Sequence, residues 1–157
     1  MNKQADDTTD AFIRDILRDT STIAMIGASA EPGRASNSVM RYLQDVGYRV
    51  IPVNPGLAGQ ELLGESSYDS LREIPERFDL VDVFRRVDAV PGIVDELLPL
   101  IGPKGVRYLW MQLDIVDDIA AERAREAGLA VVMDRCLKIE HVRLFGRQPR
   151  NNGSVVA

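Results

Sequence analysis

Five short apolar runs, separated by longer segments with helical spacing, constrain the fold of this chain more than any other feature of its sequence. The runs are rich in β-branched and aromatic residues, and each is bounded by glycine, proline, asparagine or charge. Since they are nearly continuous rather than alternating, we expect strands that are buried on both faces, as in a parallel sheet. The runs cover residues 22–26, 49–53, 80–84, 107–111 and 130–133.

The segments between the runs carry apolar residues at helical spacing. They predict helices over residues 10–18, 38–46, 89–100 and 116–127, and a short helical insert over 68–74. Gly47, Gly102 and Gly128 follow three of these helices, where C-terminal caps are expected. Repeated βα units predict a Rossmann-like, doubly wound α/β fold, with a mostly parallel five-stranded sheet and helices on both faces. Pro52 lacks an N–H group, which either argues against this strand or places it near an edge of the sheet.

Length and composition set the class of protein. The 157 residues fit one domain, with an N-terminal helix and arm over residues 1–19, a Rossmann-like domain over 20–146 and a flexible tail over 147–157. The net charge of −5 argues against a nucleic-acid partner. The apolar stretches are too short to span a membrane. A single cysteine and the lack of signal-peptide features predict a cytoplasmic location.

The loop after the first run is the best candidate for a ligand site, since ligands of open parallel sheets bind beyond the carboxyl ends of the strands. Small side chains there would let a ligand approach the backbone, and hydroxyl, amide and guanidinium groups could bind phosphate oxygens near a helix N-terminus. Ser36 or Asn37 could also cap that helix. A turn that merely connects strand to helix is the alternative. The residues concerned are Gly27, Ala28, Ser29, Arg34, Ser36 and Asn37.

Two familiar nucleotide motifs are missing. Ser29 stands where the second glycine of G-x-G-x-x-G would lie, and Asn54 follows the second run in place of an acidic residue, which disfavours NAD(P). No Gly-Lys-Ser/Thr follows the first loop, so ATP hydrolysis is not expected.

Other polar residues follow the later strands. Arg85 and Arg86 come directly after the third run and could neutralise a phosphate, pair with Asp88 or simply be solvated. Cys136 and His141 could form a nucleophile–base pair, but a spacing of five does not suit one helix face, and a lone cysteine is more often a small buried apolar residue. One cysteine and one histidine also make no usual metal site, so none is expected.

Five stretches resemble the stand-alone bacterial CoA-binding domain proteins, which are similar to the N-terminal CoA-binding domain of the succinyl-CoA synthetase α-subunit. The stretches cover residues 23–29, 50–55, 81–86, 109–112 and 132–141, in the family's order. The resemblance implies that Gly27, Ala28 and Ser29, with Arg34 and Ser36, cradle the CoA phosphates. It further implies that the adenosine-pyrophosphate half lies along Asn54 and Pro55, that Phe84, Arg85 and Arg86 line the cleft, and that the pantetheine arm runs towards Gln112.

These observations predict a non-catalytic module that binds CoA or an acyl-CoA, with a homodimer and a complex with a separate protein partner as the two possible assemblies. A small NAD(P)- or CoA-dependent enzyme using Cys136 or His141 is one alternative. An interaction protein with a vestigial nucleotide site is the other.

Overall fold

The computed structural model describes residues 8–149, and five parallel strands form its central sheet. The strands of the described chain are β1 (Thr22–Ile26), β2 (Arg49–Val53), β3 (Glu61–Leu62), β4 (Glu65–Ser66), β5 (Leu80–Val83), β6 (Tyr108–Met111) and β7 (Ala130–Val132). The sheet order is β2-β1-β5-β6-β7, whereas β3 and β4 form a separate antiparallel hairpin. The predicted fold class is therefore confirmed, and the topological switch point lies between β1 and β5.

Helices cover both faces of the sheet. They are α1 (Asp10–Asp19), α2 (Ala35–Asp45), α3 (Val90–Leu97), α4 (Ile101–Lys104), α5 (Asp118–Glu126) and α6 (Leu137–Phe145). Side chains of β1 alternate between two buried cores: Ile23 and Met25 pack with α1, α2 and α6, and Ala24 and Ile26 pack with α3 and α5. This burial on both faces explains why the strand sequences are nearly continuous apolar runs. No helix among residues 8–149 is long and apolar enough to cross a membrane.

The proline-containing strand lies at an edge of the sheet, as predicted. Pro52 of β2 pairs in register with Met25 of β1. On the outer side, the N–H of Tyr68 donates to the carbonyl of Pro52 at 3.0 Å, and the N–H of Asn54 donates to the carbonyl of Tyr68 at 2.9 Å. The segment around Tyr68, on the outer side of β2, thus bonds to the carbonyl of Pro52 and does not require the N–H group that proline lacks.

Two predicted helix ends are wrong. Gly102 is not a cap, because the chain continues through a 3₁₀ turn at Leu98–Leu100 into α4, and Gly105 ends it in the left-handed conformation with φ 72°. At the other helix, α2 already begins at Ala35 with Arg34 as its N-cap, so neither Ser36 nor Asn37 caps it. Both lie instead in its first turn.

Three further elements differ from the sequence prediction. The helical insert over 68–74 is reduced to a 3₁₀ turn at Leu71–Glu73, and the β3–β4 hairpin before it was not predicted. Helix α6 was not predicted either. Residues 1–7 of the predicted arm and 150–157 of the predicted tail lie outside the described residues.

Candidate functional site

Backbone hydrogen bonds join the loops that follow the parallel strands. In each bond, a residue just beyond one strand donates to the last residue of a neighbouring strand. The N–H of Gly27 donates to the carbonyl of Val53 at 2.9 Å, and that of Phe84 donates to the carbonyl of Ile26 at 2.8 Å. The N–H of Gln112 donates to the carbonyl of Val83, and that of Arg135 to the carbonyl of Met111, both at 3.3 Å. The structure therefore brings loops from across the sheet edge side by side, with the predicted site residues of the first, third and fourth strands among them.

Gly27 allows the close contact between the first and third of these loops. Its φ is +90°, and a Cβ atom built on it would lie 2.4 Å from the carbonyl oxygen of Phe84. An L-residue here would be strained and would collide with backbone. The sequence suggested that a glycine at this position gives a ligand access, but its structural role is to let the chain pass Phe84.

Asn54 ties the loop after β2 to the loop after β1. Its Nδ2 donates to the carbonyl of Ala28 at 2.7 Å, and its Oδ1 accepts from the N–H of Gly56 at 2.9 Å. Pro55 is exposed and begins the 3₁₀ turn that this bond caps. The side chain of Asn54 thus holds the two loops together, and Pro55 forms their outer surface.

The start of α2 supplies hydrogen-bond donors next to this junction. The first amides of an α-helix have no partner one turn earlier in the helix, and the helix dipole places partial positive charge there. In α2, the N–H of Asn37 already donates to the carbonyl of Arg34 at 3.1 Å. Asn37, in that turn, is buried and donates from Nδ2 to the carbonyl of Ser29 at 2.9 Å, while Ser36 is buried beside it. The hydroxyl of Ser29 accepts from the N–H of Glu31 at 3.1 Å. The loop is therefore held against the helix start by its own side chains.

The three predicted arginines are exposed, and among residues 8–149 their side chains make no hydrogen bond or ion pair with the other predicted site residues. Arg34 pairs with Glu31 at 3.5 Å, and Arg86 pairs with Asp88 at 3.3 Å, as one of the sequence interpretations held. Arg85 has no hydrogen-bond or ion-pair partner among residues 8–149. Because exposed pairs of this kind contribute little to stability, all three side chains could turn towards an anion at low cost.

Gln112 has a structural role at the other end of the site. It is buried, and its Oε1 accepts from the N–H of Leu137, the first residue of α6, at 3.3 Å. This bond satisfies one of the amides at the start of α6 and fixes that helix against the end of β6. Phe84, between Gln112 and the first loop along the sheet edge, is half-buried and packs on the core shared with α2 and α6.

Sequence reasoning did not select Lys138 as a site residue. Its Nζ donates to the hydroxyl of Ser38 in α2 at 3.3 Å, and it lies 5.7 Å from the centre of the Tyr42 ring. The structure therefore adds a cation beside the first turns of α2. Lys138 falls within the last stretch that resembles the family, but 100 residues separate it from Ser38, so only the packing of α6 on α2 reveals the contact.

The structure does not assemble a catalytic pair from Cys136 and His141. His141 is fully buried among the rings of Tyr42, Tyr48 and Phe145, and its Nδ1 lies 2.6 Å from the hydroxyl of Tyr42. This burial lowers the pKa of His141. Cys136 is mostly buried at the N-cap of α6, and no hydrogen bond joins it to His141 in the described part of the chain.

A metal site was not expected from the sequence. No group of three histidine, cysteine or acidic side chains suited to a metal ion occurs between residues 8 and 149. The chemistry available at the carboxyl edge is therefore that of amide donors, hydroxyls and cations around small side chains, which suits a phosphate-bearing ligand.

Comparison with known proteins shows the family of this chain. The sequence model described as a CoA binding domain matches residues 21–142. The chain belongs to the CoA-binding domain family. It is 39% identical over 131 residues to the uncharacterized protein YneT of Bacillus subtilis, a match that covers 83% of this chain and 93% of YneT.

Solved structures show the same fold. A hypothetical protein from Pyrococcus horikoshii superposes with a TM-score of 0.82 at 38% identity, covering 93% of this chain and 99% of that one. A Thermus thermophilus protein superposes with a TM-score of 0.77 at 40% identity, covering 88% and 100% of the two chains.

The family also extends into larger enzymes. The α-subunit of the ADP-forming acetate–CoA ligase I of Pyrococcus furiosus is 32% identical over 97 residues, which cover 59% of this chain but only 20% of that subunit. The similarity is therefore to the CoA-binding region of the ligase and does not extend to most of its length.

Proposed function

We propose that this protein binds coenzyme A at the carboxyl edge of its sheet and acts as a non-catalytic binding module. The observation that carries the proposal is the junction at the switch point. There, the loop after β1 lies against the loops after β2 and β5, and the start of α2 faces the same edge. Ligands of open α/β sheets bind in this position.

The charges around the junction support an anionic ligand. Arg85 has no partner within residues 8–149, Arg34 and Arg86 are in weak exposed pairs, and Lys138 reaches the first turns of α2. In our proposal, the amides of the first turn of α2 and these cations bind the phosphates of CoA. Gly27, Ala28 and Ser29 form the backbone surface against which the phosphates lie, and Asn54 and Pro55 flank the adenosine half.

The alternatives find less support. An NAD(P) site of the usual kind needs an acidic residue or a phosphate-binding cation at the end of β2, where Asn54 instead uses its side chain to hold Ala28 and Gly56. An enzyme using Cys136 or His141 would need those groups at the site, whereas His141 is enclosed by aromatic rings. A homodimer or a complex with a separate protein is compatible with a binding module and is part of the proposal.

Isothermal titration of the full chain with CoA, with NAD and NADP as comparison ligands, tests the proposal. We expect saturable binding of CoA and much weaker binding of both dinucleotides. A preference for NAD or NADP would refute the coenzyme assignment, and no binding of any of the three would favour the interaction protein with a vestigial site.

Substitution of the arginines tests the placement of the phosphates. We expect Arg85→Ala combined with Arg86→Ala to weaken CoA binding by about tenfold or more, because a hydrogen bond to a charged group contributes about 1.5–3 kcal/mol and solvent exposure reduces that amount. The matched control combines Arg18→Ala with Arg107→Ala, which removes the same charge at the amino edge of the sheet. Equal effects of the two double variants would mean that only net charge matters and that Arg85 and Arg86 are not in the site.

A further inference from the structure

A groove lies at the far end of the same sheet edge from the proposed phosphate site. It has a volume of about 980 Å³ and is formed by the loops after β6 and β7 together with α5, the start of α6 and Thr8 just before α1. Leu113 follows Gln112 directly, and Arg135 follows β7. The groove therefore lies at the β6–β7 end of the row of loops along the carboxyl edge.

Exposed apolar side chains are concentrated in this groove. Leu113, Val116 and Ile139 are 50%, 47% and 51% exposed, and all three line it. They are three of the five large apolar side chains that are exposed among residues 8–149. Met133, which is half-buried just after β7, adds further apolar surface. Clustered apolar exposure of this kind marks a binding surface more often than scattered exposure does.

Two ion pairs lie among the charged groups of the groove. Arg135 pairs with Glu140 at 3.3 Å, and Arg125 pairs with Glu122 at 3.6 Å. Asp118 and Asp134 line the groove without an ion pair among residues 8–149, so the excess charge there is negative and the apolar side chains are the feature that suits an acyl chain.

Hydrogen bonds hold the loops of the groove in place. Asp134 accepts the N–H of Asp114 through Oδ1 at 2.7 Å, which joins the loops after β6 and β7. The indole N–H of Trp110 donates to the carbonyl of Arg135 at 2.7 Å. The groove is therefore preformed, which lowers the entropic cost of binding a flexible chain.

The span of the sheet matches the reach of the pantetheine arm. Three strand spacings separate the end of β1 from the end of β7, or about 14 Å at about 4.8 Å each. The arm contains about twelve bonds between its phosphate oxygen and its sulfur, the same number as four residues of extended chain, which also span about 14 Å. A CoA molecule with its phosphates at the loop after β1 can thus bring its sulfur to the groove.

We propose that this groove binds the acyl group of an acyl-CoA, so that the protein prefers medium-chain acyl-CoA thioesters to free CoA. The inference rests on the CoA site proposed above and adds the class of ligand. The acyl chain lies along the exposed side chains of Leu113, Val116 and Ile139.

Titrations with CoA, acetyl-CoA, hexanoyl-CoA and octanoyl-CoA test the inference. A methylene that leaves water completely strengthens binding about fourfold, and a groove open on one side is expected to give about half of that free energy, or twofold for each methylene. Octanoyl-CoA has six more methylenes than acetyl-CoA, so we expect it to bind about 60-fold more tightly, with hexanoyl-CoA between them.

Variants at the groove provide the control. Val116→Asp and Ile139→Asp should each lower the ratio of the affinity for octanoyl-CoA to that for acetyl-CoA by about tenfold. Each should leave the affinity for free CoA within about twofold of the native value. Ile119→Asp is the matched control, because Ile119 is 79% exposed close to the groove but does not line it. This variant should retain the full dependence on chain length.

The outcomes separate the two proposals. If CoA binds but chain length has no effect, or if Ile119→Asp acts as strongly as Ile139→Asp, the acyl site is wrong and the CoA site stands. If no thioester and no free CoA binds, both are wrong. If Ile139→Asp changes the oligomeric state in gel filtration but not the chain-length dependence, the groove is an interface between copies of the chain and the acyl site is refuted.

Discussion

Replacing Asp82 with valine should stabilise the protein at neutral pH, because the fold buries this carboxyl group without a partner. Asp82 lies in β5, fully buried, in register with Met25 on one side and Trp110 on the other. Neither of its oxygens has a hydrogen-bond partner among the described residues. Valine is close to aspartate in shape and favours strands, so Asp82→Val can be accommodated without rearrangement.

The expected gain follows from the cost of burying an unsatisfied polar group, which is about 1–3 kcal/mol. In a domain of this length, that free energy corresponds to a rise in Tm of about 2–4 °C for each kcal/mol. The gain should depend on pH, because burial raises the pKa of Asp82 well above its ordinary value of 3.8. The folded state keeps a proton that the unfolded chain releases above about pH 4, so the contribution of Asp82 to the free energy of unfolding falls as the pH rises from there towards the raised pKa.

Urea denaturation of the native chain and of Asp82→Val between pH 4 and pH 8 measures both effects. We expect the variant to be more stable at pH 7 and to lose less stability as the pH rises. Asp79→Val is the matched control, since Oδ2 of Asp79 accepts the N–H groups of Ser21 and Thr22, both at 2.8 Å, and its removal should destabilise by about 1–3 kcal/mol.

Loss of stability in Asp82→Val at pH 7 would refute this reasoning. The carboxyl group would then have a partner, and the first candidate is Nε2 of His141, which is also buried without a partner among residues 8–149. His141 belongs to α6, which packs over the sheet face towards which Asp82 points.

Two further predictions concern the loop after β1 and the buried histidine. Gly27→Ala should destabilise the fold by about 2 kcal/mol or more in urea denaturation, because of its positive φ and the contact with Phe84, whereas Gly33→Ala, with open space around it, should change stability by less than about 1 kcal/mol. The contribution of His141 to the free energy of unfolding should fall as the pH drops below about 6.5, because burial lowers the pKa of His141 and the unfolded chain takes up the proton first. His141→Gln should reduce that fall, and an unchanged slope would assign it to other groups.

The Gly27 contact also changes how a ligand-binding variant should be designed. The sequence alone predicts that Gly27→Val would block ligand binding and leave the protein folded. In the structure, a side chain at this position meets the backbone of Phe84 before it meets any ligand, so a loss of binding in Gly27→Val would not by itself locate the site. Variants of exposed residues such as Arg85 separate binding from folding, because their side chains do not support the core.

Helix α6 shows why part of the fold escaped prediction. Its nine residues include Lys138, Glu140, His141 and Arg143, which break the apolar pattern that indicates a helix. Glu140 and His141 are nevertheless buried, because Arg135 and Arg143 pair with the carboxylate and the Tyr42 hydroxyl lies against the imidazole. A polar residue whose partners lie on other elements is assigned to the surface by sequence alone.

The sequence by itself determined the parallel sheet and its helices on both faces, because strands buried on both faces are continuous apolar runs that can be recognised from neighbouring residues. It also indicated the edge position of the strand with Pro52, because the missing proline N–H is a property of that one residue. It also placed most of the candidate site, since residues that follow parallel strands meet at one edge. Only the tertiary structure showed that Gly27 allows the close approach of the Phe84 backbone and that Lys138 bonds to Ser38. It alone showed that three exposed apolar side chains line one groove. These contacts join residues far apart in the chain, and they depend on the order of the strands and the packing of α6, which no local pattern records.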